Sequence, residues 1–511
     1  MPGRIRLDVD IGRTEEASAQ PRIRGEKMRI LVMGDFSVRR NRADEQATEI
    51  ADRASIAVDL DSFDAAMTRL RPRLLLDAGE GETAPRAIEF RSLDDFHPDG
   101  LYRTLDAFDR LRASRGRLLD PASFEQEAAA LLRDLPPATV AGTVATDAAT
   151  GAGPADDAAP LLQALLGTPP SRPAPRKSAS DVVENLVAKI VRPHVVAAPS
   201  ASSAVYVSAL DAAASGLMRR VLHDSDFQRL EANWRGVRRL IETLDPGDDL
   251  ELRILDVSQQ ELIDDLRSVA DQPERSAAYR LLAGHRADAT EAPPWSLLVG
   301  LYSFGPDESE LALLTHLGSI AARVGAPFLA GAAPGLLGCV QLNERSDPST
   351  WRLADPEIAQ RWATLRASPA SRWIGLALPR VLARLPYGAR SDAVESFGFE
   401  ELAGADEHEN YLWGNPALAC AEVVGLAFRE HGAEFDLSGP LEVTDLPAHT
   451  REEDGEKTLQ ACAEHFLSLR VGDEILARGL MPVLSFRDRN AARILRFQSL
   501  GDPAQPLAGL G

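Results

Sequence analysis

Three observations place this chain in the α/β class. Apolar runs of strand length alternate with segments of helical periodicity; hydrophobic residues make up 44% of its 511 residues against 26% charged; and an Ala-, Gly- and Pro-rich stretch divides it in two. A chain of this length exceeds one ordinary core. The expected architecture is therefore two α/β domains, residues 1–135 and 201–511, with mixed sheets flanked by helices and a flexible linker at 136–200.

In residues 4–11, RIRLDVDI, the apolar Ile5, Leu7, Val9 and Ile11 alternate with Arg4, Arg6, Asp8 and Asp10, the period-2 pattern of a strand with one buried face. RILVMGDFSVRR, at residues 29–40, reads as a buried strand closed by Gly34 and Asp35, with Ser37 in the turn and Arg39 and Arg40 on the surface. IAVDL predicts a strand, Asp61 or Ser62 caps a helix reaching Leu70, and RLLLD and AIEF predict two more strands. In His97-Pro98-Asp99, proline presets φ and Asp99 is expected to cap a helix beginning near Gly100. Leu101, Leu105, Phe108 and Leu111 fall on one face of a single helix over GLYRTLDAFDRLRASRG, and a further helix spans residues 121–135.

From residue 136 to about 180 the chain has few large apolar side chains, too few to offset the entropy of ordering. Two apolar islands have the spacing of short amphipathic helices: PLLQALLG, with Leu161, Leu162, Leu165 and Leu166, and DVVENLVAKIV, with Val183, Leu186, Val187 and Ile190. Each fits either a docked linker helix or a partner-recognition peptide. Beyond them a long helix with a kink or break covers residues 204–243. LELRILDVS, WSLLVGLYSF, APFLAGAA and WIGLALP then alternate with helical segments, the pattern of a largely parallel sheet. ALPRVLARLPYG reads as an irregular, well-packed loop, and YLWGNPALACAEVVGLAFREHG as an aromatic turn feeding an apolar helix.

A formal net charge of -21 repels nucleic acid and anionic membranes, so neither is an expected partner. The N-terminus lacks a signal-peptide core, and no apolar run approaches the roughly 20 residues that cross a bilayer. Cys339, Cys420 and Cys462 lie far apart with no CxxC, which fits a reducing cytoplasm. Walker A, strand-linked GxGxxG, GxSxG and HExxH patterns are all missing, so no catalytic residue, cofactor or metal is expected. The Arg-rich stretches 69–73 and 235–239 read as solvated faces, and Asp94-Asp95, Asp264-Asp265 and Glu400-Glu401 as surface charge.

In order, RIRLDVDIG, RILVMGDFSVRR, DLDSFDAAMTRLRPRLLLD and AIEFRSLDDFHPDGLYRTLDAFDRL resemble the small subunit (TssB/VipA) of the type VI secretion contractile sheath. DFQRLEANWRGVRRLI, LELRILDVSQQELIDDL, WSLLVGLYSFGPDESELALLTHLGSIAARVGAPFLAGAAP, WIGLALPRVLARLPYGARSDAVESFGFEE and YLWGNPALA resemble its large subunit (TssC/VipB). The resemblance implies a natural fusion of two sheath-type α/β domains. It implies a structural, non-enzymatic protein of the bacterial cytoplasm, assembling around an inner tube and contracting to drive it outward.

Implied partners are further copies or other sheath subunits, the inner tube protein, the baseplate and an AAA+ unfoldase. Residues 4–11 become the candidate lacing strand added to a neighbour's sheet, and the two apolar islands become candidate unfoldase-recognition helices. The large-subunit family continues past the segment resembling MPVLSFRDRNAARILRFQSL, so its C-terminal region is expected to be missing from a chain ending at Gly511. The alternatives are an accessory or capping protein that binds sheath subunits without forming a lattice and, less favoured, a nucleotide-using α/β enzyme.

Overall fold

The computed structural model describes residues 27–41, 49–76, 86–133, 203–269, 272–283, 293–343, 346–402, 408–437, 439, 441–453 and 456–510. Residues 4–11, the stretch 136–200 and both apolar islands lie outside the described residues. The first segment runs β1 (Met28–Gly34), β2 (Ile56–Ala57), α1 (Phe63–Leu70), β3 (Arg73–Leu76), β4 (Arg86–Glu89), α2 (Pro98–Thr104), α3 (Asp109–Leu119) and α4 (Phe124–Arg133). The single helix expected after Gly100 is broken. Leu105 is extended and a 3-10 turn, Asp106–Phe108, separates α2 from α3. Thr104 and Asp106 are weak helix formers, yet Leu101, Leu105, Phe108 and Leu111 are all buried, so the apolar spacing survives the break.

The second segment opens with α5 (Ser203–Leu222) and α6 (Ser225–Leu244). The break between them is set by Asp224, whose carboxylate accepts the Asp226 and Phe227 N–H groups and caps α6. Next come β5 (Leu250–Asp256), α7 (Gln259–Val269), α8 (Ala277–Ala283), β6 (Leu297–Phe304), α9 (Glu308–Val324) and β7 (Phe328–Ala332). They are followed by α10 (Pro356–Ala367), β8 (Ile374–Leu378), β9 (Val381–Leu382), β10 (Trp413–Gly414), α11 (Pro416–His431) and β11 (Glu442–Val443). β12 (Thr450–Glu453), β13 (Glu456–Leu459), α12 (Leu469–Ala477), β14 (Met481–Ser485) and β15 (Ala492–Ile494) complete the order.

The mixed α/β class stands, and both segments contribute to one nine-stranded sheet in the order β11-β15-β14-β8-β7-β6-β1-β5-β2. Its interior is parallel, while β2, β15 and β11 pair antiparallel at the flanks. β1 lies inside this sheet, between two strands of the second segment. It pairs with β5 from Met28↔Leu250 to Gly34↔Asp256 and with β6 from Ile30↔Leu297 to Met33↔Gly300.

All of β1 is buried, as a strand covered on both faces requires. Ile30 and Val32 enter one core with residues of α1, α3, α5, α6 and α11; Leu31 and Met33 enter the other with residues of α7, α8, α9, α10 and α12. On the second face α9 approaches the sheet so closely that a Cβ on Gly318 would meet the Ile374 side chain at 2.5 Å and the Ala370 carbonyl at 2.9 Å.

Candidate functional site at the seam of the two segments

The turn after β1 is held by a carboxylate from the other segment. Asp256, the last residue of β5, accepts the Phe36 N–H at 2.9 Å and the Ser37 hydroxyl at 2.6 Å, and pairs with Arg39 at 3.3 Å. Arg39 reaches Glu261 as well, at 2.9 Å, and Arg53 joins the same carboxylate at 2.6 Å. Arg39 is thus only 15% exposed, which corrects its assignment to the surface: two carboxylates on the neighbouring strand and helix draw it inward.

A phosphate loop needs free backbone N–H groups at this turn, and the Phe36 N–H is already donated to an anion. Burial and the nearby Asp256 charge raise the Asp35 carboxyl above its ordinary range. The turn therefore lacks the chemistry to cradle phosphate. Asp256→Ala strips a buried N–H and a buried hydroxyl of their acceptor. The expected loss is about 2–3 kcal/mol of unfolding free energy by urea denaturation; a loss under about 1 kcal/mol would contradict this role.

Trp234 on α6 continues the seam, donating its indole N–H to the Phe36 carbonyl at 3.0 Å and meeting the rings of Phe36 and Phe63 edge-on at 5.2 and 5.6 Å. Farther along, Phe90 and Phe96 stack at 4.2 Å and both meet Phe227 edge-on. Arg115 on α3 pairs with Asp211 on α5 at 2.8 Å. At His97-Pro98-Asp99 the roles differ from expectation. The helix starts at Pro98, so the N-cap is His97, whose Nδ1 accepts the Asp99 N–H at 3.2 Å. Asp99 is then free to reach across, accepting the Glu395 and Ser396 N–H groups of the second segment at 3.0 and 2.8 Å.

Beneath this turn lies a buried ion cluster. Arg384 donates to Glu231 at 2.8 Å and, with a forked pair of bonds, to Glu401 at 2.7 and 3.0 Å. Arg235 donates to Glu231 at 2.7 Å and to the Tyr387 hydroxyl at 2.9 Å, and the His97 ring meets Tyr387 edge-on at 5.0 Å. Burial opposes the charge on Glu401, but Arg384, His223 and the Tyr387 N–H outweigh it and hold the carboxyl at about 2.

These contacts correct two surface assignments. Glu401 is 1% exposed, and of the 235–239 arginines, Arg235 joins this cluster while Arg239 pairs with Glu422 at 2.9 Å. Asp265 likewise accepts the Ala277 and Ala278 N–H groups that open α8. The Arg235–Glu231 pair lies one turn apart on α6 and was readable as a helical i,i+4 spacing, whereas the partners of Glu401, Arg239 and Asp265 are supplied by other elements, which sequence neighbours do not reveal.

A cleft of about 750 Å³ lies at the carboxyl ends of β1, β6 and β7, lined in part by Asp35, Tyr302, Gly331, Arg380, Trp413 and Asn415. Its arginines are already paired, Arg40 and Arg229 with Asp226, and Arg380 with Glu409 and Glu464. The arrangement is therefore suited to holding the two segments together rather than to nucleophilic or phosphate chemistry.

Two family models match the chain, one in each segment. Residues 204–501 match the VipB family, described as EvpB/VC_A0108, tail sheath N-terminal domain. Residues 4–135 match the family described as Type VI secretion system, VipA, VC_A0107 or Hcp2. The type VI secretion system sheath protein TssC1 of Pseudomonas aeruginosa is 34% identical over 306 residues, covering 58% of this chain and 61% of TssC1. The sheath protein TssB1 of the same organism is 29% identical over 125 residues, 24% of this chain and 67% of TssB1. The chain thus spans less than two thirds of the length of TssC1. With more than half its residues in the matched domain, the chain belongs to the VipB tail sheath family, and it carries a VipA segment ahead of that domain in the same polypeptide.

Proposed function

We propose that this protein is a structural subunit of a type VI secretion contractile sheath in which the small- and large-subunit parts form one building block. The observation that carries the reading is the position of β1, a strand of the VipA-matching segment, inside the sheet of the VipB-matching domain. A contracting lattice moves its subunits against one another as bodies. A continuous sheet with a buried ion cluster beneath its seam suits such a body, since its packed core is not continuously deformable.

In this reading residues 4–11 add as a strand to a neighbouring protomer, residues 136–200 join the two segments that share the sheet, and the protein works without catalysis in the bacterial cytoplasm. Its partners are further sheath subunits, the inner tube protein and the baseplate. The islands at Leu161, Leu162, Leu165 and Leu166 and at Val183, Leu186, Val187 and Ile190 serve an AAA+ unfoldase. The families matched are of structural sheath proteins, not of known enzymes, and among the described residues no helix is long and apolar enough to cross a membrane.

Purified protein, alone or with a partner subunit, is expected to sediment as large particles and to form tubes or rings in electron micrographs. Strictly monomeric protein under all conditions sinks the lattice reading. Binding to sheath subunits without self-assembly would assign the accessory, capping role.

A further inference from the structure

Beside Arg380 and Glu409, which line the cleft, two histidines and a carboxylate converge from distant parts of the chain. His408 lies in the turn before β10, and Glu464 and His465 lie between β13 and α12. His408 Nε2 is 3.2 Å from Glu464 Oε1, His465 Nε2 is 3.9 Å from the same oxygen, and a ligand atom from each of the three lies within 4.8 Å of the others. Residues adjacent in an extended chain point apart. Here Glu464 adopts a left-handed φ of 50°, and the His465 N–H closes onto the Ala463 carbonyl at 2.5 Å, a tight turn that gathers both side chains.

The carboxylate is held from behind. The Arg380 backbone N–H and Nε donate to Glu464 Oε2 at 3.1 and 3.2 Å, and Arg380 Nη2 donates to Oε1 at 2.5 Å, so Oε1 is shared between the guanidinium and the imidazoles and an ion bound there would compete with that Nη2 bond. Glu409 pairs with the same guanidinium at 3.1 Å, so two carboxylates face one arginine. The His408 and His465 rings stack at 4.4 Å, and the Trp413 ring lies 5.1 Å from that of His408. Outer groups that fix a ligand's orientation in this way accompany metal sites as a rule.

We propose that His408, Glu464 and His465 bind a divalent first-row transition ion of the Zn²⁺ class. With metal–ligand bonds of about 2.0–2.1 Å, the edges of a tetrahedral site are about 3.3–3.4 Å long, so the His408–Glu464 edge at 3.2 Å already fits, the His465–Glu464 edge at 3.9 Å must close by about 0.5 Å, and the His408–His465 edge, which lies within 4.8 Å, must reach the same length. Two imidazoles and one carboxylate supply three ligands and leave a fourth position open. The ion would clamp the turn before β10 to the loop leading into α12, a loop already tied to β9 by the Leu382 N–H donating to the Cys462 carbonyl at 2.7 Å.

The test uses the untagged full-length chain freed of metal. Calorimetric titration with Zn²⁺ is expected to show one saturable equivalent, and Co²⁺ to give the intense visible bands of a four-coordinate site. His408→Ala and His465→Ala are expected to weaken Zn²⁺ binding by at least about 10-fold, while His449→Ala leaves it unchanged. Zn²⁺ is also expected to raise the melting temperature of the native chain but not that of the conservative His465→Gln variant, which separates ligation from a folding defect. No saturable binding by the native chain, or an affinity unchanged in both alanine variants, overturns the proposal.

Discussion

Residues 201–511 produced without residues 1–135 are expected to aggregate, and co-production of the missing part to restore a soluble complex. Removing β1 leaves the inward edges of β5 and β6 unpaired in the middle of the sheet. It also uncovers both faces that Ile30, Leu31, Val32 and Met33 fill, each fully buried side chain contributing about 1.5–3 kcal/mol. Unpaired apolar edges template association with other chains. By the same reasoning, a chain cut by a protease at a site engineered between residues 136 and 200 is expected to elute from gel filtration as one species, its two parts separating only in denaturant. A soluble, monodisperse 201–511 fragment with native circular dichroism would show that β1 is dispensable.

Arg384→Met is expected to cost about 3–5 kcal/mol, among the largest effects of any single substitution here, because it strands Glu231 and Glu401 as buried carboxylates without their shared cation. Arg235 still neutralises Glu231, so Glu401 bears most of the loss. The substitution also has a pH signature. The folded Glu401 carboxyl sits at about 2, below its ordinary 4.5, so its pairing contributes stability that is fully present above the ordinary value. That contribution is lost as pH falls from there through the folded value. Denaturant melts of the native protein should therefore weaken between about pH 5 and 2, and the variant, weaker at neutral pH, should lose less over the same window. A variant within about 1 kcal/mol of the native protein at pH 7 would mean that the cluster contributes specificity rather than stability.

Periodicity made most elements legible. The unbroken apolar run at β1 marks a strand covered on both faces, and the apolar spacing of Leu101, Leu105, Phe108 and Leu111 was read correctly as one buried face. Which strands cover β1 was not legible, since its partners lie more than two hundred residues away and no local pattern encodes them. The same limit hid the ion cluster. Glu401 beside Glu400, and Arg235 among neighbouring arginines, have the local composition of solvated surface; the burial of Glu401 is made tolerable by Arg384 from another element, and Arg235, paired with Glu231 one turn away on α6, is drawn in by the distant Tyr387 hydroxyl. At His97-Pro98-Asp99 the error was one of roles. A helix start was expected, but proline at the first helical position moved the cap to His97 and released Asp99 for a contact across the seam.

The place of β1 also sets an order of events at the ribosome. Met28 is paired with Leu250, and Ile30 with Leu297, so the first strand among the described residues is one whose neighbours arrive late. At roughly 5–20 residues per second, β1 waits on the order of ten seconds or more before either neighbour has been synthesised. Such non-local pairing is slow for any chain, and here the waiting segment is itself among the most apolar in the molecule. Folding of this sheet is therefore gated by translation, and conditions that slow elongation after β1 should raise the chaperone demand of the nascent chain.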